Sequence, residues 1–581
     1  MNILFLFLIN ISFATEDSLK VDSLKYKNLG SINFLEKIEI DNNLKSRSSL
    51  IEELIEENTS AFILDYGSPG LRNKLYFFDQ PFEIFFEGRS LGDAQLINFN
   101  PTHFPKEWLN NIEIKSDINS GFNFNNQSIG LINLTTKDFS STKPLTKLFF
   151  VQGPYDFGIF DASYSQNIFQ NTNFSFGLTR NFFGSNHESD GFKGRYLNEN
   201  FDLWIYRAKI RSQINENTTF QFSYFGLNDS KGINSGIDTA KTFGNDIFDD
   251  LIAEVISLTQ LQKNKQKHLD LILNIENLIL KNGETKLHFY HSNFLIDNIN
   301  RENTTSPKDY WREFNGAIFS QSYFVKFAKI TFQTEFIKRN ISENNFLNFE
   351  SKIIHSSLYG NLYFLDFLNS DFFYRKSDDK NNYGFKINLL PFSFLKLFAG
   401  YSEIENEILV FDYLYFAQPV TNIQSKNNEF GFRVSTNNLY LNFSQILIQR
   451  KDIYSNTHAK RLQFESGFEN EVFNIKLFYT NLDNVELLSS IPKEFIKINS
   501  GFKFIIGKGK YESEIGLNYK YFNLEKENNN SILNIYTSIN IDDATLHLKV
   551  ENVLDVKTMI IRNYPIMPRG IKFGVSWNFI N

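Results

Sequence analysis

The chain of 581 residues has no cysteine, only 12 prolines and no long apolar run. Without cysteine, disulfides, thiolate metal ligands and cysteine nucleophiles are all excluded. A membrane-spanning helix needs roughly 18 to 20 consecutive apolar residues, and no stretch of the sequence supplies them. If the protein lies in a membrane, it must therefore cross it as a closed β-barrel, since a barrel also satisfies every backbone hydrogen bond in lipid.

Two classes of function find little support in the residues. The net charge of −7 gives no basic surface for nucleic acid. The motifs of serine hydrolases, zinc proteases, phosphate-binding loops and calcium loops are missing, and the eight histidines are scattered. We therefore predict no nucleic-acid partner, no catalytic or metal-binding residues and no cofactor. An enzyme built on a barrel wall needs no local motif, so it is kept as a third hypothesis.

The first residues favour export. An apolar run from Ile3 to Ile11 is followed by Ser12-Phe13-Ala14 and then by polar residues. This order is typical of a secretory signal peptide cleaved after Ala14, although no lysine or arginine precedes the run. The alternative is a buried N-terminal strand.

Instead of long apolar runs, the sequence has segments in which apolar and polar residues alternate. From Leu145 onward, segments of about ten residues switch between apolar and polar at every position, as in transmembrane strands. In "ESEIGLNYKY", Ile515 and Leu517 fall on one face, while Glu514 and Lys520 fall on the other. This pattern predicts 22 strands, with centres near residues 149, 161, 177, 207, 222, 273, 289, 319, 332, 357, 372, 386, 398, 431, 442, 463, 476, 500, 515, 535, 547 and 575.

The connections between these segments alternate between long and short in a fixed phase. A long one runs from Asn228 to about Lys265, and short ones lie near Asn282-Gly283, Pro391-Phe392 and Asp542-Asp543. Outer-membrane barrels have this rhythm of short periplasmic turns and longer extracellular loops. A soluble sandwich or propeller has no reason to keep it. The long stretch includes "IFDDLIAEVISLTQLQ", whose helical periodicity predicts either a lid over a ligand or a simple extracellular excursion.

The last strand, "RGIKFGVSWNF", has one strongly aromatic face. Phe573, Trp577 and Phe579 alternate with polar residues, so we expect this face to meet lipid and the strand to close the barrel against the first strand. Its near-terminal aromatic is similar to the sorting signal that outer-membrane barrels present to their assembly machinery. Another aromatic group, "YWR" at 310–312, is expected in a loop, where it belongs either to a ligand site or to an interfacial girdle.

Residues 46–142 have a different pattern. "SRSSLIEELIEENTS" predicts a short amphipathic helix capped by Ser49, with Glu52 three residues on. The order of elements then resembles the plug domain of TonB-dependent outer-membrane receptors. In that family a Tyr-Gly turn, a strand ending in Asp-Gly, an Ile-Glu strand and a Gly-x-Ile-Asn-Leu segment precede the barrel. The corresponding residues here are Tyr66, Gly67, Glu87, Gly88, Ile112, Glu113, Gly130, Ile132 and Asn133.

The C-terminal segment resembles the same family, and two features depart from it. Asn552-Val-Leu-Asp555 is similar to an Asn-Leu-Phe-Asp element, and Pro568-Arg569-Gly570 is similar, in altered order, to a Pro-Gly-Arg stretch. The family's Arg-Gly pair is missing from "LRNKLYFFDQPF". The box that pairs with TonB as an added strand is indistinct. "DSLKVDSLK" supplies the best candidate, with Leu19, Val21 and Ser23 on one side.

Together these patterns predict an all-β membrane protein: a 22-stranded antiparallel transmembrane β-barrel with an N-terminal α+β plug domain in its lumen. A lumen of that width needs a plug. The predicted division is a signal peptide at 1–14, an N-terminal periplasmic segment at 15–45, the plug at 46–142 and the barrel at 143–581. The resemblance implies a monomer in the cell outer membrane of a Gram-negative-type bacterium. Its partners are outer-membrane lipid, a TonB-type energy-transducing protein and the barrel-assembly machinery.

The resemblance implies a receptor that takes up a scarce solute, such as a siderophore or cobalamin, with energy supplied through TonB. The ligand-binding residues are left unknown, because loop tips carry the least pattern. The alternative is a plugged barrel without energised transport, which acts as a passive porin or as a surface structural or adhesion protein. The missing Arg-Gly pair and the indistinct box favour this alternative, while the order of plug and barrel opposes it.

Overall fold

The structure of the protein is a computed structural model. It describes residues 36–40, 48–65, 67, 74–77, 80–81, 83–91, 101–121, 130–139, 143–184, 196, 198–242, 244–249, 252–257, 259–300, 308–343, 347–377, 380–408, 421–451, 456–483, 492–507, 511–523 and 530–580. The predicted signal peptide, the candidate TonB box at Leu19, Val21 and Ser23, and Tyr66 of the plug motif lie outside these residues.

The N-terminal part of the described chain is a small α+β domain, here called the plug. Its elements are β1 (Glu36–Glu39), α1 (Ile51–Asn58), β2 (Phe62–Leu64), β3 (Lys74–Phe77), β4 (Gln80–Pro81), β5 (Glu83–Phe86), β6 (Arg89–Ser90), β7 (Leu109–Ser116) and β8 (Gly130–Thr136). One sheet has the order β1-β7-β8-β5-β6, in which β5 and β8 are parallel, and a second sheet has the order β2-β3-β4. Short 3₁₀ turns cover Pro101–His103, Lys106–Trp108 and Asp117–Gly121.

Helix α1 forms because its apolar residues repeat at helical spacing. Ile51, Leu54 and Ile55 fall on one face and are buried in the core that the plug shares with the barrel wall. The opposite face carries glutamates, which point towards the wall. None of the described helices is long and apolar enough to cross a membrane.

The predicted start of α1 is wrong by one residue. The N-cap position is Leu50, without a side-chain cap, and Ser49 instead donates its backbone N–H to Glu53 Oε2 at 3.0 Å. A glutamate that reaches back to an N–H before the helix is half of a capping box. Because the helix begins at Ile51, this role falls to Glu53 rather than to the predicted Glu52.

The rest of the described chain closes into an antiparallel barrel of 22 strands, which confirms the predicted fold class. The barrel strands are β9 (Leu145–Gln152), β10 (Gly158–Phe169), β11 (Thr172–Phe183), β12 (Phe201–Asn215), β13 (Thr218–Ile233), β14 (Gln260–Glu276), β15 (Gly283–Asn300), β16 (Lys308–Val325), β17 (Ala328–Glu343), β18 (Leu347–Leu365), β19 (Leu368–Ser377), β20 (Lys380–Phe392), β21 (Leu395–Ile408), β22 (Thr421–Ser435), β23 (Leu439–Lys451), β24 (Asn456–Glu469), β25 (Phe473–Asp483), β26 (Glu494–Ile506), β27 (Tyr511–Asn523), β28 (Asn530–Ile541), β29 (Ala544–Glu551) and β32 (Gly570–Ile580). Every predicted strand centre lies within one of these strands. Two short strands, β30 (Met559–Ile561) and β31 (Tyr564–Pro565), pair with each other in the connection between β29 and β32.

The last strand closes the barrel as its pattern predicts. β32 pairs with β29 on one side and with the first barrel strand, β9, on the other, where Trp577 lies opposite Leu148. Phe573 and Trp577 point outwards and remain 48% and 46% exposed. Lys572, which precedes Phe573 and lies opposite Lys549 of β29, points into the lumen and is buried. The same alternation holds around the wall, with apolar side chains outside and polar side chains inside.

The connections of the barrel lie at two rims. We call the end that carries the connections 184–200, 234–259, 409–420 and 552–569 the loop rim, and the opposite end, with its short turns, the turn rim. The rhythm is not strict, because at the loop rim no more than five residues separate β9 from β10, β17 from β18, β19 from β20, and β23 from β24. The turn predicted near Pro391-Phe392 lies at 393–394, after the end of β20.

Two predictions about loops are wrong because strands extend further than their apolar parts. Pairing between β13 and β14 continues through Ile233 and Gln260, so the long connection covers 234–259 rather than Asn228 to Lys265. The described part of this connection contains a 3₁₀ turn at Gly244–Phe248 but no α-helix. Residues 310–312 belong to β16, where Trp311 pairs with Leu295 and Ser342.

Candidate functional site

The plug meets the barrel wall around a cavity of about 160 Å³ beside helix α1. We call it the helix cavity. Its charged lining comes from the glutamate face of α1 and from the lumen side of β26, β27, β29 and β32. These residues are Glu53, Glu56 and Glu57 on the helix and Lys497, Lys520, Lys549 and Lys572 on the wall.

The helix cavity lies towards the loop rim. Lys497 is the fourth residue of β26 after connection 484–493, and Lys520 is three residues from the end of β27. Lys549 and Lys572 are the closest described lumen-side lysines to connection 552–569, which joins their strands. Side chains alternate between the two faces along each strand, and the neighbours of these lysines face outwards. All four lysine side chains therefore lie inside the barrel.

The helix glutamates and the wall lysines form a chain of ion pairs. Glu53 accepts from Lys549 at 3.1 Å and from Lys572 at 3.2 Å. Lys549 also binds Glu57 at 3.1 Å, and Lys520 binds Glu56 at 2.6 Å. These pairs are largely buried, so water screens them less than it screens surface pairs. They tie one face of α1 to three strands of the wall, β27, β29 and β32.

The two glutamates that share Lys549 titrate differently. Burial by itself raises the pKa of Glu53, but the ammonium groups of Lys549 and Lys572 and the Ser49 N–H outweigh it and hold the pKa well below its usual range. Burial raises the pKa of Glu57, and Lys549 and the Ser48 hydroxyl offset this only in part. Glu53 is therefore the carboxylate that stays ionised when the solution becomes acidic.

We expect the variant Glu53→Gln to lower the free energy of local unfolding of α1 by about 2 kcal/mol at neutral pH, because it removes charged hydrogen bonds. A carboxylate with a lowered pKa in the folded state stabilises above its unfolded pKa, near the ordinary 4.5, and this contribution is lost as pH falls. Hydrogen exchange of α1 amides should show a constant difference between variant and wild type from about pH 7 to pH 5. The difference should shrink below about pH 4.5. A difference that disappears already near pH 6 would contradict the lowered pKa.

The wall also caps the C-terminal end of α1. Lys497 is buried and donates from Nζ to the backbone carbonyls of Glu56 at 2.7 Å, Ala61 at 2.7 Å and Thr59. The last carbonyls of a helix have no partner within the helix, and a cation there also interacts favourably with the helix dipole. One lysine of the barrel thus completes the hydrogen bonding of the plug helix.

The connection 552–569 folds inwards and lies over the helix cavity, and we call it the lid. Its start is held by Asn552, whose side chain donates to the carbonyls of Val556 and Met567 and accepts the Val556 N–H. Asp555 accepts the N–H of Arg569 at the other end. Asn552 and Asp555 have φ of 47° and 51°, a region that asparagine and aspartate adopt more readily than most residues. These contacts give the Asn-Val-Leu-Asp element a structural role.

The lid touches the plug and two neighbouring loops. Its Ile560 and Ile566 pack in an apolar cluster with Phe62 of the plug and with wall residues of β26 and β27. Tyr196 of connection 184–200 donates to the sulfur of Met567, and Ile237 of connection 234–259 bonds to the lid backbone. The lid therefore joins the plug to the loop rim.

Gly67 of the plug motif lies directly against the backbone of the lid. It has a φ of 80°, and a Cβ added there would lie 1.9 Å from the carbonyl oxygen of Pro565. Backbone cannot move aside as a flexible side chain can. We expect Gly67→Ala to lift the lid and to increase hydrogen exchange at the lid amides by at least tenfold, since the left-handed conformation alone costs about 1 kcal/mol.

The control for this variant is Gly244→Ala. Gly244 also has a positive φ, 62°, but no atom lies within 4 Å of an added Cβ. This variant has the free-energy cost of a positive φ, but its added Cβ meets no other atom. Hydrogen exchange at the lid amides should therefore stay near that of the wild type. Equal exchange in the two variants would show that the contact with Pro565 does not hold the lid.

A second buried contact, which we call the arginine anchor, fixes the plug to the opposite part of the wall. Arg89 of β6 makes a two-pronged ion pair with Asp270 of β14, in which Nη2 and Oδ2 lie 2.9 Å apart. Its Nη1 donates to Ser292 Oγ at 3.0 Å, and its guanidinium lies 4.6 Å from the ring centre of Tyr290. Asp270 receives a further hydrogen bond from His288 at 2.8 Å. Arginine and aspartate side chains are 0% and 1% exposed.

The structure brings several predicted plug-motif residues together beside the arginine anchor. Glu87 and Gly88 form the turn between β5 and β6, with φ of 52° and 86°. The N–H of Gly88 donates to Asn133 Oδ1 at 3.0 Å, and the amide of Asn133 contacts Glu113 at 3.3 Å. The other described members have structural places: Ile112 and Ile132 are buried in the core, and Gly130 begins β8 opposite Ser116.

The sequence interpretation missed most of the contact residues. Arg89 directly follows the predicted Glu87-Gly88 turn, but nothing near it identifies a partner 181 residues away. Lys497, Lys549 and Lys572 occupy lumen positions of alternating strands, where any polar residue fits. Alternation places Lys520 on the polar face of its strand, but it does not identify the partner, which is Glu56 of the plug.

Comparison with known proteins reveals the fold and little sequence identity. No protein-family model and no curated protein matches the sequence. The FrpB iron transporter of Neisseria meningitidis is 14% identical, with a TM-score of 0.72 over 93% of this chain and 98% of that chain. The siderophore receptor PirA of Acinetobacter baumannii is 11% identical, with a TM-score of 0.73 over 96% and 100%.

A third solved structure has the same architecture. The ferric yersiniabactin uptake receptor FyuA of Yersinia pestis is 11% identical, with a TM-score of 0.72 over 95% of this chain and 98% of that chain. These three proteins are transporters and uptake receptors, and none is an enzyme. The chain thus shares the fold of plugged outer-membrane receptors across nearly its whole length, as the resemblance predicts.

Proposed function

We propose that this protein is an outer-membrane receptor that binds a scarce solute at the loop rim and admits it past the plug with energy from a TonB-type protein. A siderophore, cobalamin or a similar chelate is the expected class, in line with the iron-related solutes of the proteins that share its fold. The observation that carries the proposal is a globular plug that fills the barrel and is held there partly by ion pairs. Charged contacts of this kind can be exchanged for others without exposing a large apolar surface.

We further propose that the lid, the helix cavity and α1 form the entry side of this path. The cavity lies at the loop rim, where an external solute arrives first, and the lid separates it from the outside. The ion pairs of Glu53 and Glu56 lie directly beneath the lid. A ligand that displaces the lid would therefore reach the charged face of the plug helix.

The division of the chain and the barrel-closing signal belong to the same proposal. A signal peptide at 1–14, a periplasmic segment at 15–45, a plug at 46–142 and a barrel at 143–581 fit a receptor of this type. Strand β1 lies within 15–45 and yet pairs with β7 of the plug sheet, so the free part of that segment ends before Glu36. Phe573, Trp577 and Phe579 on the outer face of β32 supply the aromatic signal for the assembly machinery.

The test of energised transport is binding of the full-length protein, in detergent, to the periplasmic domain of a TonB-type protein of the same organism. We expect binding that is lost, by at least tenfold, in the variant Val21→Pro. Proline removes a backbone N–H and cannot join a strand ladder, so it blocks strand addition at the segment with Leu19, Val21 and Ser23.

The matched control is Val21→Thr, which keeps the N–H and a β-branched side chain and should bind like the wild type. Absence of binding by the wild type would contradict energised transport and favour the passive or structural alternative. In that case the reconstituted barrel should conduct ions without any partner. Equal binding by wild type and Val21→Pro would place the TonB contact elsewhere in the chain.

A further inference from the structure

The loop-rim part of β18 is an open edge of the barrel sheet. β18 pairs with β17 up to Leu347, which lies opposite Glu343. On its other side, the pairing with β19 ends where His355 lies opposite Ser377. Among the residues that the structure describes, 347–354 therefore have a strand on one side only. We call this segment, which extends over about 27 Å, the β18 edge.

The direction of the backbone groups of the β18 edge follows from a hydrogen bond near the other end of the strand. Tyr363 donates its N–H to the carbonyl of Phe327, just before β17, at 2.7 Å, and the register between β17 and β18 has no shift. In an antiparallel ladder, the N–H and C=O groups of successive residues point to opposite sides. Odd-numbered residues of β18 therefore bond to β17. Asn348, Glu350 and Lys352 present their backbone groups to the open side.

A similar edge, on β21, is closed by a side chain. β21 extends to Ile408, beyond its last pair with β20, in which Glu403 lies opposite Tyr383. There the side chain of Asn382 accepts the backbone N–H of Glu405 at 2.7 Å and donates to its carbonyl at 3.4 Å. An amide side chain thus takes the place of the missing strand. No side chain or backbone group of the described chain does the same for the three residues of the β18 edge.

The β18 edge stands above the apolar part of the outer wall. Its lowest outward residue, Ile354, lies opposite Phe336 of β17, and the two side chains are 53% and 43% exposed. The next outward pair towards the loop rim is Lys352 and Lys338. The change from an apolar pair to a pair of lysines marks the end of the apolar band. The edge beyond it therefore faces water rather than lipid.

The side chains of the β18 edge favour one kind of partner. Lys338 is paired with Glu350 at 3.2 Å. Lys352 is exposed, and within the described part of the chain its side chain makes no ion pair or hydrogen bond. Its neighbour Ile353 faces the lumen and is buried. Because opposite charges in facing positions stabilise neighbouring strands, an added strand with an acidic residue opposite Lys352 fits this edge best.

We propose that the β18 edge is the docking site for an extended segment of a partner protein at the cell surface. The segment joins the sheet as a strand antiparallel to β18, exchanges backbone hydrogen bonds with Asn348, Glu350 and Lys352, and places an acidic side chain opposite Lys352. A second copy of this chain fits less well. Two barrels in one membrane have the same orientation, so their β18 edges run parallel, which is the less stable pairing. The inference rests on the outer-membrane location within the proposed function, and it is independent of transport.

The test uses the full-length protein in detergent and the fluorescence anisotropy of a labelled synthetic peptide. The peptide has about ten residues, enough to cover the edge, in which valine and threonine alternate and one central threonine is replaced by aspartate. The variant Lys352→Pro removes an N–H that points to the open side, whereas the pairing with β17 uses the odd-numbered residues and persists. We expect this variant to bind the peptide at least tenfold more weakly than the wild type, because a strand hydrogen bond is lost.

The matched control is Lys352→Thr, which keeps the N–H and has a β-branched side chain. It should bind the aspartate peptide at most about fivefold more weakly, because only the charge pair is lost. It should bind the peptide without aspartate like the wild type. A second measurement leaves the protein unaltered. A peptide methylated on the backbone nitrogens of its aspartate and threonines, which face the edge, should not bind.

Three results would overturn the proposal: equal binding by the wild type and Lys352→Pro, equal binding of the methylated and unmethylated peptides, or no binding by the wild type. A wild-type protein that is dimeric without peptide, and monomeric as Lys352→Pro, would replace the partner protein by a second copy of the chain. Failure of TonB binding would leave these results unaffected, so the two proposals fail separately.

Discussion

Replacing Arg89 by methionine should lower the free energy that holds the plug in the barrel by about 3 to 5 kcal/mol. This is the largest single effect that the structure predicts. Asp270 would remain buried without its cationic partner, and its remaining hydrogen-bond partner among the described residues is His288 at 2.8 Å. An uncompensated buried charge is far more costly than the loss of a surface pair. The methionine keeps most of the side-chain volume, so the effect reports the charge rather than a cavity.

The readout is access to the plug in a barrel that stays folded. Proteolysis of the plug should become at least a hundredfold faster in Arg89→Met, and the reconstituted barrel should conduct more ions because a displaced plug opens the lumen. The folded barrel itself should keep its resistance to detergent, since 22 paired strands hold it together.

The wall supplies a matched control in a second arginine. Arg180 and Asp202 form the same two-pronged pair at 2.8 Å on the outer face, where the side chains are 36% and 37% exposed. Surface pairs contribute about 0 to 1 kcal/mol, so Arg180→Met should leave plug access unchanged. The double variant Arg89→Met/Asp270→Leu should recover part of the lost free energy, because it also removes the buried carboxylate that has no cationic partner. If the single and double variants behave alike, the anchor does not act through its charge.

The variant Lys497→Met should release the C-terminal end of α1, with an expected loss of about 3 kcal/mol. Three backbone carbonyls, of Glu56, Thr59 and Ala61, would lose one shared cationic donor. Buried carbonyls without a partner are costly, and the apolar replacement offers none. Hydrogen exchange across residues 51–58 should rise by about a hundredfold.

Lys503 on the same strand is the control for Lys497. It lies near the turn rim, and within the described chain its side chain makes no hydrogen bond or ion pair with the plug. Lys503→Met should leave the exchange of α1 at the level of the wild type. Unchanged exchange in Lys497→Met would mean that water satisfies the three carbonyls, and the capping role would have to be abandoned.

The barrel could be predicted from the sequence because each strand has its own alternating pattern of apolar and polar residues. Lipid outside and polar lumen inside impose alternation on every strand, so residues such as Phe573 and Lys572 identify their faces without knowledge of their neighbours. The contacts between plug and wall produce no such pattern in the sequence. A lumen position accepts any polar side chain, so Lys549, which holds two glutamates of α1, is indistinguishable in sequence from a solvated lysine.

Loops and strand ends were predicted less well for a related reason. Above the apolar part of the wall, the outer face becomes polar and the alternation disappears, although backbone pairing continues. Residues 310–312 and the outer part of β14 were therefore assigned to loops. The residues Asn552 and Asp555 were matched to a family element, but no lid was predicted there, because the inward fold of this connection depends on Gly67, which is more than 480 residues earlier in the chain.

The strands of the barrel differ in length, and this inequality acts on the surrounding bilayer. β14 to β18 have 16 to 19 residues each, whereas β9 and β29 have 8. Eight residues extend about 27 Å, which a tilt of about 40° reduces to a height of about 21 Å, less than the apolar band of about 25 Å in such barrels. Lipid beside the closing strand must thin to match, at a cost of a fraction of a kcal/mol per Å. Hydrophobic mismatch thus makes the membrane thinnest next to the seam where the last barrel strand, β32, pairs with the first, β9, directly below the lid.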